Sequence, residues 1–311
     1  AYTNVNMTPP IRLFEGMGVA LITPFQAAGS VDYVSLHTLL EHIISGGADF
    51  VVVHGTTGES PCLSRDERNA VTSFVVQTVG GRIPIMIGLG GNNTMEVGER
   101  LAELDTTGLS GVLSVAPYYN KPSQEGIYEH FKHLTKCSKL PIVIYNVPGR
   151  VVVNVTPTVV AKLAEIPNII GIKEASGYVA QVEAIHKLVD RADFSILSGD
   201  DNLSIDFIRN GACGVISVIG NAYPKLFTKL IHLSMQGRHN DAGVIHDQLR
   251  DAYRLLFENG NPSGIKALLY LQNIIKHNVL RLPLTPVTEG VYKGLDETRR
   301  QIDLFIEQYE C

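Results

Sequence analysis

The 311-residue chain has no tryptophan, only 4 cysteines and 5 methionines, and just 18% charged residues. Each shortage removes a class of explanation. Cys62, Cys137, Cys213 and Cys311 are scattered with no Cys-x-x-Cys pair. Neither a disulfide framework nor a metal site is therefore expected, and reduced thiols suit a cytoplasmic setting. The net charge is −5 and no basic stretch stands out, so no nucleic-acid partner is expected. No apolar run approaches the ~18 residues of a membrane-spanning helix, and no membrane association is expected. The opening Ala1–Arg12 is polar and proline-containing, without the apolar centre of a signal peptide. Whether residues 1–11 are ordered is left open. At 45% hydrophobic residues the chain can bury a large core.

What the chain does have is a rhythm. Short, mostly β-branched apolar runs recur at Gly18–Ile22, Phe50–Val53, Ile83–Ile87, Gly111–Val115, Pro141–Tyr145, Ile169–Lys173, Phe194–Ser198 and Gly214–Val218. Runs apolar on both faces suit buried parallel strands. Between them lie helical patterns: Tyr33–Ser45, Ser64–Val79, Met95–Leu104, Gln124–Thr135, Pro157–Leu163, Tyr178–Leu188 and Asn202–Arg209. Ser64-Arg-Asp-Glu67 reads as a capping box and Thr156 as a cap before Pro157. Such alternation, at a spacing of roughly 20–35 residues, predicts an α/β fold, a (β/α)8 TIM barrel over residues 12–223. Residues 224–311 read as a C-terminal helical extension, with breaks near Gly237–Asn240, Asn259–Ser263 and Arg281–Pro286.

Barrels of this kind place their chemistry at the carboxyl ends of the strands. Those ends carry Thr23, Gly55-Thr56-Thr57-Gly58-Glu59, Gly88-Leu-Gly-Gly91, Pro117-Tyr118-Tyr119-Asn120, Tyr145–Arg150, Lys173-Glu174, Ser198-Gly199-Asp200-Asp201 and Ile216-Ser217. Lys173 closes an apolar strand, and an apolar site favours a free amine over an ammonium, which is what attack on a keto carbon needs. The bland alternative pairs Lys173 with Glu174, but neighbours on a strand face opposite sides. Schiff-base chemistry next requires hydroxyls to move protons. Tyr145 ends the adjacent strand, and one of Tyr118 and Tyr119 is expected to face the mouth. Thr56 and Thr57 lie on a glycine-flanked turn, which alone reads equally as a tight turn or an anion loop. Arg150, in the turn begun by Pro148-Gly149, can present a fork to a carboxylate; a surface arginine is the alternative.

Two competing motifs fail. Gly88-Leu-Gly90-Gly-Asn-Asn93 has asparagine where a dinucleotide loop needs its third glycine. Asp200-Asp201 lacks a converging partner for Mg²⁺.

Several of these stretches occur together in one family. GTTGES (Gly55–Ser60), PYYNKPSQEG (Pro117–Gly126), YNVPGR (Tyr145–Arg150), GIKEASG (Gly171–Gly177), SGDD (Ser198–Asp201), GVISV (Gly214–Val218) and RLPLTPV (Arg281–Val287) make the chain resemble the dihydrodipicolinate synthase (4-hydroxy-tetrahydrodipicolinate synthase) family of pyruvate-dependent Schiff-base aldolases. The resemblance runs from about Gly16 to about Thr288. It implies that Lys173 forms an imine with pyruvate, and that the enamine attacks aspartate 4-semialdehyde on the route to diaminopimelate and lysine. It further implies that Tyr145, Thr56 and Tyr119 relay protons, that Thr57, Gly199 and the Ile216 backbone hold pyruvate, and that Arg150 takes the semialdehyde carboxylate. No cofactor is implied. Tyr119 is implied to enter from a neighbouring subunit, in a homotetramer built as a dimer of dimers.

Related N-acetylneuraminate lyases and 2-keto-3-deoxy sugar-acid aldolases share the lysine. The lyases resemble Gly-Ser-Thr-Gly-Glu at the second strand and lack the Pro-Gly-Arg turn, so Thr56 and Arg150 favour the synthase. A catalytically silent barrel is a third reading, disfavoured because no catalytic position is substituted. Lysine-inhibited relatives bind lysine at positions matching Ser60, Pro61, Arg65, Arg68, Asn92, Glu96 and Tyr118. Ser60, Asn92, Glu96 and Tyr118 fit an amino-acid site. Arg65 and Arg68 would repel the lysine ammonium, so weak or absent feedback is expected.

Overall fold

The doubly apolar runs form eight parallel strands: β1 (Gly16–Ala20), β2 (Phe50–Val53), β3 (Ile85–Gly88), β4 (Gly111–Val115), β5 (Ile142–Asn146), β6 (Ile169–Glu174), β7 (Ser195–Ser198) and β8 (Gly214–Ser217). They pair in chain order, and β8 closes on β1 through Gly16↔Gly214 to Val19↔Ser217. The computed structural model describes residues 12–309. Residues 1–11, whose order the sequence left open, and Cys311 lie outside the described residues.

Closure depends on glycine at the seams. A Cβ on Gly214 would stand 2.2 Å from the Gly16 carbonyl oxygen, and one on Gly88 would stand 2.1 Å from that of His54. A Cβ on Gly90 would lie 3.0 Å from the Val115 amide. The glycines after β3, weighed above as a nucleotide loop, are thus used for close strand contact.

The helices are α1 (Tyr33–Ser45), α2 (Arg65–Val79), α3 (Thr94–Glu103), α4 (Gln124–Cys137), the single turn α5 (Pro148–Val151), α6 (Pro157–Ala164), α7 (Val179–Leu188), α8 (Ser204–Arg209), α9 (Pro224–Met235), α10 (His239–Glu258), α11 (Ser263–Leu271) and α12 (Glu289–Tyr309). Ser64 accepts from the Glu67 amide while the Glu67 side chain accepts from the Ser64 amide, completing the capping box. Thr156 accepts from the Val159 amide and caps α6 ahead of Pro157. Among the described residues no helix is long and apolar enough to cross a membrane.

After β8 two expectations change. Helix α9 packs on β1, β8 and α1, the place of the eighth barrel helix, so the strand–helix alternation runs past residue 223. The expected run of helices also stops at Leu271, before the Arg281–Pro286 break. Asn273 takes a left-handed φ of 61°, its amide donates to Tyr270 O at 3.0 Å, and the Ile274 amide donates to Leu269 O at 3.0 Å. These bonds make a Schellman cap, which asparagine tolerates; the apolar spacing of Leu271, Ile274 and Ile275 conceals it.

The non-helical stretch that follows is tied to the barrel. Arg281 forks onto Glu67 at 2.7 and 2.5 Å. That bond, then the Ser64 amide, hold the Glu67 carboxyl well below its usual range, at about 2. Because the folded value lies below the unfolded one, the contribution to stability is full above about pH 4.5 and fades as the pH falls toward 2. Glu67→Gln is expected to lower Tm by about 2–8 °C at pH 7. The gap from the parent should close on acidification through that window; a gap that persists at its lower end contradicts the assignment.

Candidate active site

At the carboxyl end of the barrel, strand register decides which side chains meet. Lys173 on β6 pairs with Tyr145 on β5, and its Nζ lies 4.2 Å from the centroid of the Tyr145 ring. Both are buried, with 6% and 7% exposure. The negative face of the ring accommodates the amine with water largely displaced. Asp200, at the end of β7, is the acid that senses this lysine: burial pushes its carboxyl up, and the Lys173 charge pulls it back down.

Glu174 points the other way. Its Oε1 accepts from Asn146 Nδ2 at 2.9 Å, Gln181 Nε2 at 3.0 Å and the Ser176 amide at 3.1 Å. Burial pushes this carboxyl up against those bonds. The lysine is thus not engaged by its chain neighbour, as strand alternation requires.

After β2, Gly55 leads into a one-turn helix, Thr56–Gly58, ended by Glu59 at a left-handed φ of 55°. Thr23 Oγ1 donates to Gly58 O at 2.8 Å and fastens this turn to the loop after β1. Thr57 is buried, and its Oγ1 accepts from Asn261 Nδ2 at 2.9 Å. Its own hydroxyl proton is therefore directed elsewhere. Thr56 is half-buried.

The ends of β7 and β8 supply backbone. A Cβ on Gly199 would stand 2.7 Å from that of Ala175, so only glycine fits. Asp201 is buried, and burial pushes its carboxyl up to about 6. Its Oδ2 accepts from the amides of Val218 at 3.2 Å and Ile219 at 2.9 Å. In this way Asp201 holds the turn that follows the buried Ile216. Among the described residues no group of three or more His, Cys, Asp or Glu could hold a metal ion.

Other expected residues are not drawn into this buried cluster. Tyr118 is 40% exposed and Tyr119 87% exposed, so neither belongs to the core. Tyr119 also holds a φ of 75°, a left-handed conformation that a bulky residue seldom adopts. Arg150 is exposed on α5, one helical turn begun by Pro148. Of the positions suited to an amino-acid ligand, Asn92 Nδ2 donates to Tyr118 O at 3.0 Å. Glu96 lies exposed in the first turn of α3, and Ser60 opens the one-turn helix Ser60–Cys62. Arg65 pairs with Glu103 at 3.6 Å on the exposed surface of α2 and α3. Arg68 donates to the Leu63 carbonyl at 2.9 Å, and burial first, then Arg100 and Arg65, push its guanidinium down. These arginines line a cleft between α2 and α3 together with Glu96.

Sequence reasoning missed Asn261, Lys266 and the ionic use of Arg281. Lys266 left a signal: it is the one charge in the otherwise apolar helix SGIKALLYL.

The chain's relatives carry the same architecture. The model of the dihydrodipicolinate synthetase family matches residues 13–302. A 4-hydroxy-tetrahydrodipicolinate synthase from Porphyromonas gingivalis is 50% identical over 93% of this chain and 97% of its own length. The crystal structure of a dihydrodipicolinate synthase from Thermotoga maritima superposes with a TM-score of 0.90 at 38% identity, covering 93% of this chain and 99% of that one. A dihydrodipicolinate synthase from Cyanidioschyzon merolae, solved with lysine bound, has a TM-score of 0.89 at 35% identity, covering 94% and 100%. Agreement of sequence and fold over nearly the whole length leaves one assignment: the chain is a member of the dihydrodipicolinate synthetase family.

Proposed function

We propose that this chain is a 4-hydroxy-tetrahydrodipicolinate synthase that joins pyruvate to L-aspartate 4-semialdehyde through an imine on Lys173. The observation that carries the reading is the buried Lys173 amine against the Tyr145 ring at the carboxyl end of the barrel.

In this reading Lys173 Nζ attacks C2 of pyruvate and water leaves, giving the imine. Loss of a C3 proton gives the enamine, whose C3 bonds to the aldehyde carbon as the aldehyde oxygen takes up a proton. The amine of the semialdehyde portion then attacks the imine carbon and expels Lys173, closing the ring. The imine is itself the electron sink, so no cofactor is required. Tyr145 is positioned to give and take protons at the carbon bound to Nζ. Thr56 and Tyr119 extend the relay, and Thr57, Gly199 and the Ile216 backbone hold the pyruvate carboxylate and carbonyl region. Arg150 takes the carboxylate of the second substrate. An exposed, left-handed Tyr119 supports a homotetramer in which this residue completes a neighbour's site. The free, dispersed Cys62, Cys137 and Cys213 support a cytoplasmic setting.

The test is a coupled assay offering pyruvate with aspartate semialdehyde, beside N-acetylneuraminate and 2-keto-3-deoxy sugar acids. Turnover of the first pair alone is expected, with Tyr145→Phe lowering kcat by about 10²–10⁴-fold. Turnover of a sugar acid in preference would overturn the substrate assignment. The Arg68 guanidinium in the α2–α3 cleft disfavours an ammonium ligand, so lysine at sub-millimolar concentration is expected to leave the rate nearly unchanged. Strong inhibition at that concentration contradicts this expectation.

A further inference from the structure

The turn carrying Thr56 and Thr57 is held from a distant part of the chain. Four contacts from residues 261–281 reach it, its Glu59 end and the turn that follows. Asn261 donates to Thr57 Oγ1 at 2.9 Å. Lys266 Nζ meets Glu59 Oε2 at 2.5 Å, both side chains having no exposure. The Arg281 amide donates to Glu59 Oε1 at 3.0 Å, and Arg281 Nη1 donates to Cys62 O at 3.0 Å.

Two cations lie close to Phe25, with Lys266 Nζ 4.0 Å and the Arg281 guanidinium carbon 4.5 Å from its ring centroid. Lys266 also donates to Val279 O at 2.9 Å. Arg281 reaches Gly29 O at 2.8 and 3.1 Å and forks onto Glu67. The cluster thus joins the loops after β1 and β2, the start of α2 and the segment after α11.

A buried ion pair is a poor device for stability alone, since well-packed apolar residues of similar volume often serve as well or better. What a pair of opposite charges supplies is place: a carboxylate with its amine on one side and a backbone amide on the other cannot slide. Glu59 needs such restraint. It sits in a left-handed conformation (φ 55°) as the hinge between the turns Thr56–Gly58 and Ser60–Cys62, a conformation disfavoured for a side chain with a Cβ. Without partners the hinge would relax and carry the Thr56 hydroxyl with it.

We propose that Glu59, Lys266 and Arg281 are positioning residues for the reaction: α11 and the segment after it grip the Glu59 hinge and thereby set where the Thr56 hydroxyl stands, while Asn261 holds Thr57 separately. The inference rests on the Schiff-base reading above. Displacing the Thr56 hydroxyl, which relays protons, slows loss of the pyruvate C3 proton while leaving attack by Lys173 intact.

The test uses the full-length chain with pyruvate alone, at a temperature where circular dichroism reports each protein folded. Two quantities are measured: borohydride trapping of pyruvate at Lys173, and exchange of the pyruvate C3 hydrogens in deuterated water. The variants are Arg281→Lys, which keeps the charge but loses the fork, and the double variant Glu59→Gln/Lys266→Met, which leaves no buried charge unpaired. Lys293→Met, in an exposed ion pair on α12, is the control. Trapping within twofold of the parent is expected for all, with exchange at least tenfold slower in the Arg281 and Glu59/Lys266 variants and unchanged in the control. In a Thr56→Val background, Arg281→Lys should add no further loss, because both act through one hydroxyl. Exchange at the parent rate in both variants, or full additivity with Thr56→Val, overturns the positioning role. Absence of trapping in the parent itself would instead overturn the Schiff-base reading on which it stands.

Discussion

The placement of one amine governs the site. Lys173 lies at the end of an apolar strand with its Nζ on the face of Tyr145, where water is excluded and no carboxylate is paired to it within its own strand. That arrangement depends on register: Tyr145 and Lys173 are directly paired on neighbouring strands. Register depends in turn on closure, and closure on backbones that touch where Gly16, Gly88 and Gly214 stand. A side chain at a seam would propagate through the barrel, because parallel strands share one ladder of bonds. The chemistry is therefore held by positions that carry no chemistry themselves.

The neighbours of that amine show how charge is apportioned. Glu174 and Asp201 are buried carboxyls with assigned partners, the first among side-chain amides and the second on the amides after β8. Both are pushed up by burial, and both orient backbone that borders the mouth. Asp200 alone among these acids senses Lys173. The acids around the lysine thus organise the strand ends and leave the amine open to a substrate.

Much of this was legible in the sequence because burial on both faces leaves a continuous apolar run. Phe50–Val53 and Gly111–Val115 were read to the residue, and Tyr33–Ser45 likewise. The strand ends alone brought Tyr145 and Lys173 to the same end of the barrel, where the register pairs them. Three things were not legible. Asn273 ends α11 inside an apolar pattern that still looks helical, because a left-handed cap leaves little trace beyond one asparagine. The exposure of Tyr119 could not be read from a loop, where consecutive side chains diverge freely. The partnership of Glu59 with Lys266 spans the length of the barrel in sequence, and no local periodicity reports a contact of that range. Position 266 did announce itself as a lone charge in an apolar helix, but a lone buried charge names no partner.

The C-terminal segment is tied to the turn after β2, since it supplies the two cations beside Phe25 and the side-chain amide bound to Thr57. Among the described residues two lysines are buried near the strand ends, Lys173 beside Tyr145 and Lys266 in an ion pair with Glu59. Peptide mapping after borohydride reduction in the presence of pyruvate separates them. The account predicts a single reduced pyruvate unit, on Lys173; an adduct on Lys266, or none on either lysine, would contradict it.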